Sequence, residues 1–575
     1  MPEHDPSDDV PTTPHPGERA IARRDFLHRG ALAGVGGVLA ASGLAQSSAS
    51  ASPVPPSSSG VASPGSGEDV PPFELEEATV AQLQEAMRSG RMTSHSITAA
   101  YLARIEAMDR RGPALRAVIQ TNPDALSIAR QMDEERRAKG PRGPLHGIPV
   151  LLKDNVDTGD KLLTGAGSLA LADMPAPRDA FIAQRLRAAG AVILGKANLS
   201  EWANFRSTRA ASGWSGRGGQ CRNPYALDRS PSGSSSGSAA AAAANFAAVT
   251  VGTETDGSIV SPSSACSVVG LKPTLGLVSR AGIAPISHTQ DTAGPITRTV
   301  ADAAALLSAL AGVDPRDPAT SAAEGHVEAD YTKFLDANGL RGARIGVARA
   351  KVTGYHAQTD SLFDAAVDAI RRAGAEIVDP ADIPHLGEYD DAEFTVLLYD
   401  FKDDLNRYLA ERGPTSKVKT LADVMEFNRT HAAAEMPYFG QEIMQMAQAK
   451  GPLTDKDYVD ALEKCRRLSR TEGIDAVMAA HRLDAIIAPT SNPPNVTDLS
   501  LGDHYLGSSS TPAAVAGYPT ITVPAGYTHG LPVGLSFIGR AWSEPTLIRL
   551  AYAYEQATKM RRPPRFLPTM EMPVP

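Results

Sequence analysis

The sequence predicts an α/β fold in which helices cover both faces of a β-sheet, and three observations lead to this prediction. Short runs of β-branched residues and leucine alternate with segments whose apolar residues have helical spacing. The composition is that of an ordinary globular protein, with 42% hydrophobic and 21% charged residues in a chain of 575. Strand-like runs also return near the C-terminal end. Such alternation is typical of sheets that are covered by helices.

The N-terminal segment has the features of an export signal. Arg23 and Arg24 precede an apolar pair and a Gly/Ala-rich run, which ends at Ala49-Ser50-Ala51. This pattern predicts a twin-arginine signal peptide over residues 1–51 and a secreted protein; a basic disordered tail is the alternative. The apolar run is too short and too rich in glycine for stable membrane insertion. Residues 52–71 are rich in Pro, Ser and Gly, which predicts a disordered linker.

The folded domain is predicted to occupy residues 72–575. Two helices come first, and the second begins at Thr93 or Ser94. A strand within HGIPVLLKDNVDTGD then ends at Lys153. It is followed by a helix in DAFIAQRLRAAG and a strand in AVILGKANL. The order of these three segments predicts a β-α-β unit.

The second half of the domain repeats this alternation and then departs from it. The helix-like run GSAAAAAANFAAV leads into the strand VTVGTE. Residues about 315–480 are richer in helix, as in LLYDFKDDLNRYLAER, and we interpret them as a helical excursion from one large domain. Strands return at DAIIAPT, TITVPAG and VGLSFIG, before a last helix in EPTLIRLAYAYEQATKM.

Charge and cysteine content exclude several classes of partner. The formal net charge of −9 and the isoelectric point near 5.9 give no electrostatic reason to expect nucleic acid or an anionic membrane. The three cysteines, Cys221, Cys266 and Cys465, do not make a disulfide framework, and their spacing does not fit a zinc site. We expect each of them to be a buried free thiol.

Two arrangements of a nucleophile have weak support. Residues 233–237 match G-x-S-x-G with Ser235 at the centre, but a polar loop stands where a nucleophile elbow needs an apolar strand. A serine with a histidine base is the second arrangement. No sequence pattern singles out one histidine as the base for a serine. His146 and His288 are more typical of structural histidines.

A third arrangement joins Lys153, the serines at 234–236, and Ser258. Ser258 follows the strand VTVGTE on a turn that contains Gly257. A lysine desolvated at a strand end can lose its charge and act as a base, and a serine between it and a second serine can relay the proton. Each piece alone is weak, because Gly/Ser turns are common in proteins.

Taken together, these segments resemble the amidase signature family. The resemblance rests on GSSSGSAAAAAANFAAVTVGTETDGSIVSPSSACSVVGLKPTLGLVSR, on HGIPVLLKDNVDT, and on PAGYTHGLPVGLSFIGRAWSEPTLIRLAYAYEQAT. It extends over nearly all of residues 73–575. The family fold, which the resemblance implies here, is a large mixed β-sheet covered by helices on both faces.

The resemblance also implies roles for individual residues. Lys153 corresponds to the catalytic lysine, Ser234 to a bridging serine that follows a cis peptide bond, and Ser258 to the serine that forms the acyl-enzyme. The oxyanion hole and the substrate site are implied to contain the backbone N–H of Ser258 together with Thr255, Asp256, Gly257 and Ala203. Trp202 lies beside Ala203, where family members line the acyl site, although an aromatic residue at this spacing is also typical of a core.

Departures from the common family pattern narrow the substrate class. Asp256 and Val260 replace residues that are usually glycine and arginine, and Ser236 replaces a usual glycine. These changes, with TETDGSI and LLYDFKDDLNRYL, resemble the peptide amidase branch, which releases ammonia from the C-terminal carboxamide of peptides. The chemistry that this implies uses no metal and no organic cofactor.

We therefore expect an exported amidase whose partner is a small-molecule or peptide amide. An exported chain cannot serve as a glutamyl-tRNA amidotransferase subunit, which must meet tRNA in the cytosol. A broad aliphatic or aryl amidase is the alternative within the family. An inactive binding protein on the same scaffold is a further alternative, and the presence of the lysine and both serines disfavours it.

Overall fold

A computed structural model describes residues 72–414 and 416–572. The predicted signal peptide and linker lie outside the described residues. The strands are β1 (Val118–Thr121), β2 (Pro149–Lys153), β3 (Val192–Ala197), β4 (Trp214–Ser215), β5 (Gly219–Gln220), β6 (Val249–Glu254), β7 (Val269–Lys272), β8 (Thr292–Thr297), β9 (Arg344–Val347), β10 (Glu376–Val378), β11 (Ala485–Pro489), β12 (Thr520–Thr528) and β13 (Leu531–Ile538).

Within these described ranges, eleven of the strands form one mixed sheet. Its order is β1-β3-β2-β6-β8-β7-β12-β13-β11-β9-β10, and β4 pairs with β5 in a separate hairpin. Strand β2 is parallel to both β3 and β6, and β9 is parallel to both β10 and β11, whereas the remaining neighbours are antiparallel. The predicted α/β class and the large mixed sheet are confirmed.

Helices pack against this sheet and against one another. They are α1 (Val80–Arg88), α2 (Ser94–Ile105), α3 (Ala125–Lys139), α4 (Phe181–Ala188), α5 (Ser236–Ala243), α6 (Val260–Ala265), α7 (Val300–Leu310), α8 (Ala357–Arg372), α9 (Asp390–Glu411), α10 (Leu421–Thr430), α11 (Ala432–Glu435), α12 (Glu442–Gln448), α13 (Lys456–Arg466), α14 (Asp475–His481), α15 (Thr511–Ala516) and α16 (Glu544–Thr558). Helix α5 lies against β6 and β8, α16 lies against β12, and α9 packs on α12 and α13.

The central strands are buried along their whole length, which explains their continuous apolar sequence. Every residue of β2, β3 and β6 is buried. A strand with both faces covered reads as an unbroken apolar run rather than an alternating one. The polar residues that do occur in these strands, such as Lys153 and Lys196, are therefore unusual, and each makes several hydrogen bonds.

Three further features bear on the sequence predictions. The second predicted helix begins at Ser94, and the Thr93 hydroxyl accepts a hydrogen bond from the Ser96 N–H, as an N-cap does. The three cysteines are buried free thiols, as predicted. In the described part of the chain, no helix has the length and apolar character needed to cross a bilayer.

Candidate functional site

The carboxyl ends of β2 and β6 bring polar residues together. Val150, Leu151 and Leu152 pair with residues 249–251 in parallel register, so Lys153 lies level with Gly252, close to the end of β6. Its Nζ donates to Oγ1 of Thr253 at 2.9 Å and lies 3.2 Å from the Thr253 carbonyl oxygen. Ligand and catalytic sites of open α/β sheets are commonly found at this edge, outside the carboxyl ends of the strands.

Lys153 also contacts the serine cluster that precedes α5. The same Nζ donates to Oγ of Ser234 at 2.8 Å and to Oγ of Ser235 at 3.0 Å. The lysine is fully buried, and this burial lowers its pKa to about 7, although the nearby Asp291 and Glu254 act in the opposite direction. A buried lysine in this state is partly uncharged at neutral pH.

The backbone around Ser234 has three notable features. The peptide bond between Gly233 and Ser234 is cis, as the family resemblance implies. The Ser234 carbonyl accepts a hydrogen bond from the Ser200 N–H at 3.0 Å. A Cβ atom at position 233 would lie 2.3 Å from Oγ of Ser200, so any larger residue would force this neighbouring side chain to move.

Ser258 lies on the turn between β6 and α6. Gly257 has φ +79°, a left-handed conformation that favours glycine. The Ser258 carbonyl accepts a hydrogen bond from the Ser235 N–H at 3.1 Å, which ties the turn to the serine cluster. Ser258 is 8% exposed and lines a cavity. Among the described residues, no hydrogen bond joins the hydroxyls of Ser258 and Ser234.

Backbone N–H groups at this turn are available for a ligand. In the described ranges, the N–H groups of Thr255, Gly257 and Ser258 donate to no protein acceptor. The turn is nevertheless fixed, because Oε2 of Glu254 accepts hydrogen bonds from the N–H groups of residues 259 and 260 at 2.7 and 3.0 Å. Oγ1 of Thr255 also donates to Asp291 at 2.6 Å. Fixed backbone donors beside a serine are what an oxyanion hole requires.

The cavity next to Ser258 has a volume of about 180 Å³. The residues that the sequence predicts for the oxyanion and substrate site all lie on its wall: Ala203, Thr255, Asp256, Gly257 and Ser258. A second cavity of about 530 Å³ adjoins it and shares Ala203, Thr255 and Ile286. Only the smaller cavity is lined by Ser258, so it is the candidate substrate site.

The segment around Ala203 has an unusual backbone. Trp202, Ala203 and Asn204 have φ values of 50°, 53° and 71°, a left-handed conformation that is uncommon in three successive non-glycine residues. Left-handed residues of this kind cluster at ligand sites. Ala203 lines the cavity, whereas Trp202 is buried and packs in a core cluster with Phe205 and Phe401. Of the two neighbours, only Ala203 reaches the candidate site.

The other candidate bases and nucleophiles have structural contacts. The Nε2 atom of His146 is 2.9 Å from the Met132 carbonyl oxygen, and Nδ1 of His288 pairs with Asp404 at 2.9 Å. Ser235 is fully buried, and its hydroxyl contacts Lys153 and the Thr253 carbonyl.

Two residues that act on Lys153 were not among the candidates from the sequence. They are Thr253, whose hydroxyl accepts a hydrogen bond from Nζ, and Asp291, which raises the pKa of the lysine. The place of Thr253 near the end of the strand VTVGTE was the one signal in the sequence. Parallel pairing of β2 with β6 puts the ends of these two strands side by side.

Comparison with known proteins identifies the family of this chain. The Amidase family model matches residues 96–548. The chain belongs to the amidase signature family. As a member it is a hydrolase that acts on amides.

Solved structures and curated relatives of this family are similar over most of their length. The structure of the peptide amidase PAM with the competitive inhibitor chymostatin is 54% identical, covers 86% of this chain and 100% of its own, and has a TM-score of 0.83. The native peptide amidase from Stenotrophomonas maltophilia is 53% identical with the same coverage and TM-score. A probable amidase of Arabidopsis thaliana is 45% identical over 505 residues, covering 86% of this chain and 93% of its own.

Proposed function

We propose that this protein is an exported serine amidase that hydrolyses the C-terminal carboxamide of peptide amides. The observation that carries the proposal is the contact of buried Lys153 with Ser234, beside a cavity lined by Ser258. The similarity to peptide amidases at 54% and 53% identity supports this substrate class. The segment 1–51, which lies outside the described residues, supports export through its paired arginines.

In the proposed first half-reaction, neutral Lys153 takes the proton of Ser234 while Ser234 takes the proton of Ser258. The Oγ of Ser258 then forms a bond to the carbonyl carbon of the amide. Negative charge develops on the carbonyl oxygen, and the backbone N–H groups of Thr255, Gly257 and Ser258 stabilise it. Contact between the two serine hydroxyls forms in the substrate complex, since catalytic hydrogen bonds commonly tighten there.

Departure of ammonia completes the first half-reaction, and hydrolysis of the resulting ester is the second. The proton returns through Ser234 to the amide nitrogen, the C–N bond breaks, and ammonia leaves an ester on Ser258. Water, deprotonated through the same relay, attacks the ester carbon and frees the acid and the Ser258 hydroxyl. The sum is amide plus water giving acid plus ammonia, and the relay residues end as they began.

Ammonia release from a substrate panel tests the proposal. The panel contains N-acetyl dipeptide amides, simple aliphatic and aryl amides, and the corresponding esters. Peptide amides are expected to have the highest kcat/KM. Equal or greater kcat/KM for simple aliphatic or aryl amides would instead favour the broad amidase of the same family. Absence of ammonia from every amide would contradict both.

A further inference from the structure

The cavity beside Ser258 is lined by both apolar and acidic residues. The apolar ones include Phe205, Ile286, Phe394 and Leu397. The acidic ones are Asp256 and Asp503. Among the described residues, no lysine, arginine or histidine lines this cavity. The wall is therefore formally negative, although the reaction turns a neutral amide into an acid.

Asp503 is half-buried and forms no ion pair with a cationic residue among the described residues. Its Oδ2 accepts a hydrogen bond from the Ser212 N–H at 3.1 Å, and its Oδ1 is inaccessible to water. The polar groups that act on it are neutral ones of Ser212 and Asn495. In the part of the chain that the structure describes, no ion pair includes this residue. Burial raises its pKa, as expected for a carboxyl group that lacks a nearby cation.

Asp256 adds a second carboxylate at the turn that carries Ser258. Its Oδ1 accepts a hydrogen bond from Oγ of Ser510 at 2.5 Å, and Ser510 contacts Ser508 at 3.0 Å. Buried Lys272 interacts electrostatically with Asp256, but its Nζ donates to the Tyr518 carbonyl at 2.7 Å and it is not part of the cavity wall. Asp256 thus lines the cavity, whereas Lys272 does not.

These two carboxyl groups give the cavity an electrostatic preference. A cationic group on the substrate is attracted to them, and an anionic group is repelled. We propose that Asp503 and Asp256 select substrates by charge, so that peptide amides carrying a cation are preferred and acidic ones are rejected. The proposal rests on the proposed peptide amidase function and deepens it. The preferred cation is an ammonium group, from a basic side chain or from a free N-terminus.

Matched substrates test the proposal. The matched substrates are phenylalanine amides extended at the N-terminus by lysine, glutamine or glutamate. In each of them the α-amino group is acetylated, so they differ only in the side chain and its charge. The expected order of kcat/KM is lysyl above glutaminyl above glutamyl, with about tenfold between the first and the last at low salt. This ratio is expected to fall as salt is added. Alanyl-phenylalanine amide with a free N-terminus, compared with its acetylated form, separates the two sources of the ammonium group.

Variants assign the preference to the residues. Asp503→Asn and Asp256→Asn are each expected to reduce the lysyl-to-glutamyl ratio at least about threefold. Asp498→Asn is the matched control, because Asp498 lies on the same loop, accepts from the backbone N–H groups of Ser500 and Leu501, and does not line this cavity. Its ratio should stay at the wild-type value. A wild-type ratio within twofold of unity, or an unchanged ratio in both cavity variants, would overturn the inference.

Binding measurements separate this inference from the proposed function. Calorimetry on Ser258→Ala protein compares the affinities of the lysyl and glutamyl amides without turnover. If the wild-type enzyme releases no ammonia from any peptide amide, the proposed function fails. Tighter binding of the lysyl amide would still support charge selection, and equal affinities would contradict it.

Discussion

The Nζ of Lys153 lies 2.8 Å from Oγ of Ser234, and both side chains are fully buried. A charged lysine is costly in such a place, which is why burial lowers its pKa to about 7. Two carboxyl groups, of Asp291 and Glu254, limit how far the pKa falls. The amine is thus held near the point where it can both take and return a proton, as a general base and acid must.

The pH dependence of amide hydrolysis should report this lysine. The reaction needs neutral Lys153, and the neutral fraction rises with pH through a pKa of about 7. We therefore expect kcat/KM to fall about tenfold per pH unit well below this pKa and to level off above it. Steady-state ammonia assays across pH, at constant ionic strength, give the midpoint.

Lys153→Ala is the control for that profile. The variant should lose the acidic limb and about 10²- to 10⁴-fold in rate on amides. Esters should suffer less, because an alkoxide or phenoxide needs less protonation than an amine leaving group. An alanine variant that hydrolyses peptide amides at the native rate would contradict the role of the lysine.

Covalent labelling should identify the nucleophile. Ser258→Ala is expected to abolish turnover and also labelling by a fluorophosphonate probe, because the acyl acceptor is gone. Ser261→Ala is the matched control, since Ser261 lines the same cavity and, like Ser258, is 8% exposed. Mass spectrometry of the labelled peptide gives the modified residue. A label that persists in Ser258→Ala would disprove the assignment.

Ser258 and Lys153 were marked as candidates by their places at the ends of apolar strands, but each signal was weak alone. Their roles were implied by the resemblance to the amidase signature family. No pattern in the sequence indicates the contacts between segments that lie far apart along the chain. Asp503 approaches Ser212 across 291 positions of the chain, and Ser510 approaches Asp256 across 254. Tertiary packing alone brings these groups to the cavity.

Some strands of the fold could be predicted from the sequence and others could not. Continuous apolar strands such as β3, β11 and β13 were predictable, because burial on both faces selects an unbroken run. Strand β8, TAGPIT, lies in the middle of the sheet yet contains glycine and proline, which argue against a central strand. Strands β9 and β10 are three or four residues long, and they lie inside a region that sequence analysis described only as richer in helix.

Arg206 should be important for stability rather than for chemistry. It is almost fully buried and donates to Oε1 of Glu201 and to the Glu435 carbonyl, each at 2.5 Å. The Glu435 carboxyl group lies 4.0 Å from the same guanidinium, so Arg206→Met would leave the buried carboxyl groups of Glu201 and Glu435 without their cation. The expected loss is about 3–5 kcal/mol in the free energy of unfolding, measured by urea denaturation. Arg178→Met, which breaks an exposed pair with Glu411, should cost at most about 1 kcal/mol.

The pH dependence of that loss has a definite sign. Burial already raises the pKa of Glu201 well above its usual value. A carboxyl group with a raised folded-state pKa destabilises the fold increasingly as pH rises through that pKa. The loss in Arg206→Met should therefore be smaller at pH 5 than at pH 8. A loss that is the same at both values would contradict the proposed cause.

Export should depend on the paired arginines of the N-terminal segment. Replacing Arg23 and Arg24 together by lysine keeps the charge but removes the arginine pair that the pathway reads. We expect the precursor to accumulate inside the cell, as seen by immunoblotting of cell and culture fractions. Replacing the nearby Arg19 by lysine is the matched control and should leave secretion unchanged. Normal secretion of the double variant would refute the twin-arginine assignment.

Thr253 should tune the lysine without taking part in bond making. Its Oγ1 accepts a hydrogen bond from Nζ of Lys153 at 2.9 Å, and acceptors of this kind favour the protonated amine. Thr253→Val removes the acceptor with little change in volume, so the pKa of Lys153 should fall and the acidic limb of kcat/KM should move to lower pH. Thr250→Val is the matched control on the same strand, because the Thr250 hydroxyl donates to the carbonyls of Ser238 and Ile296. That variant should lose stability but keep the wild-type midpoint. A midpoint that moves upward in Thr253→Val, or equally in both variants, would show that the hydroxyl does not act on the lysine.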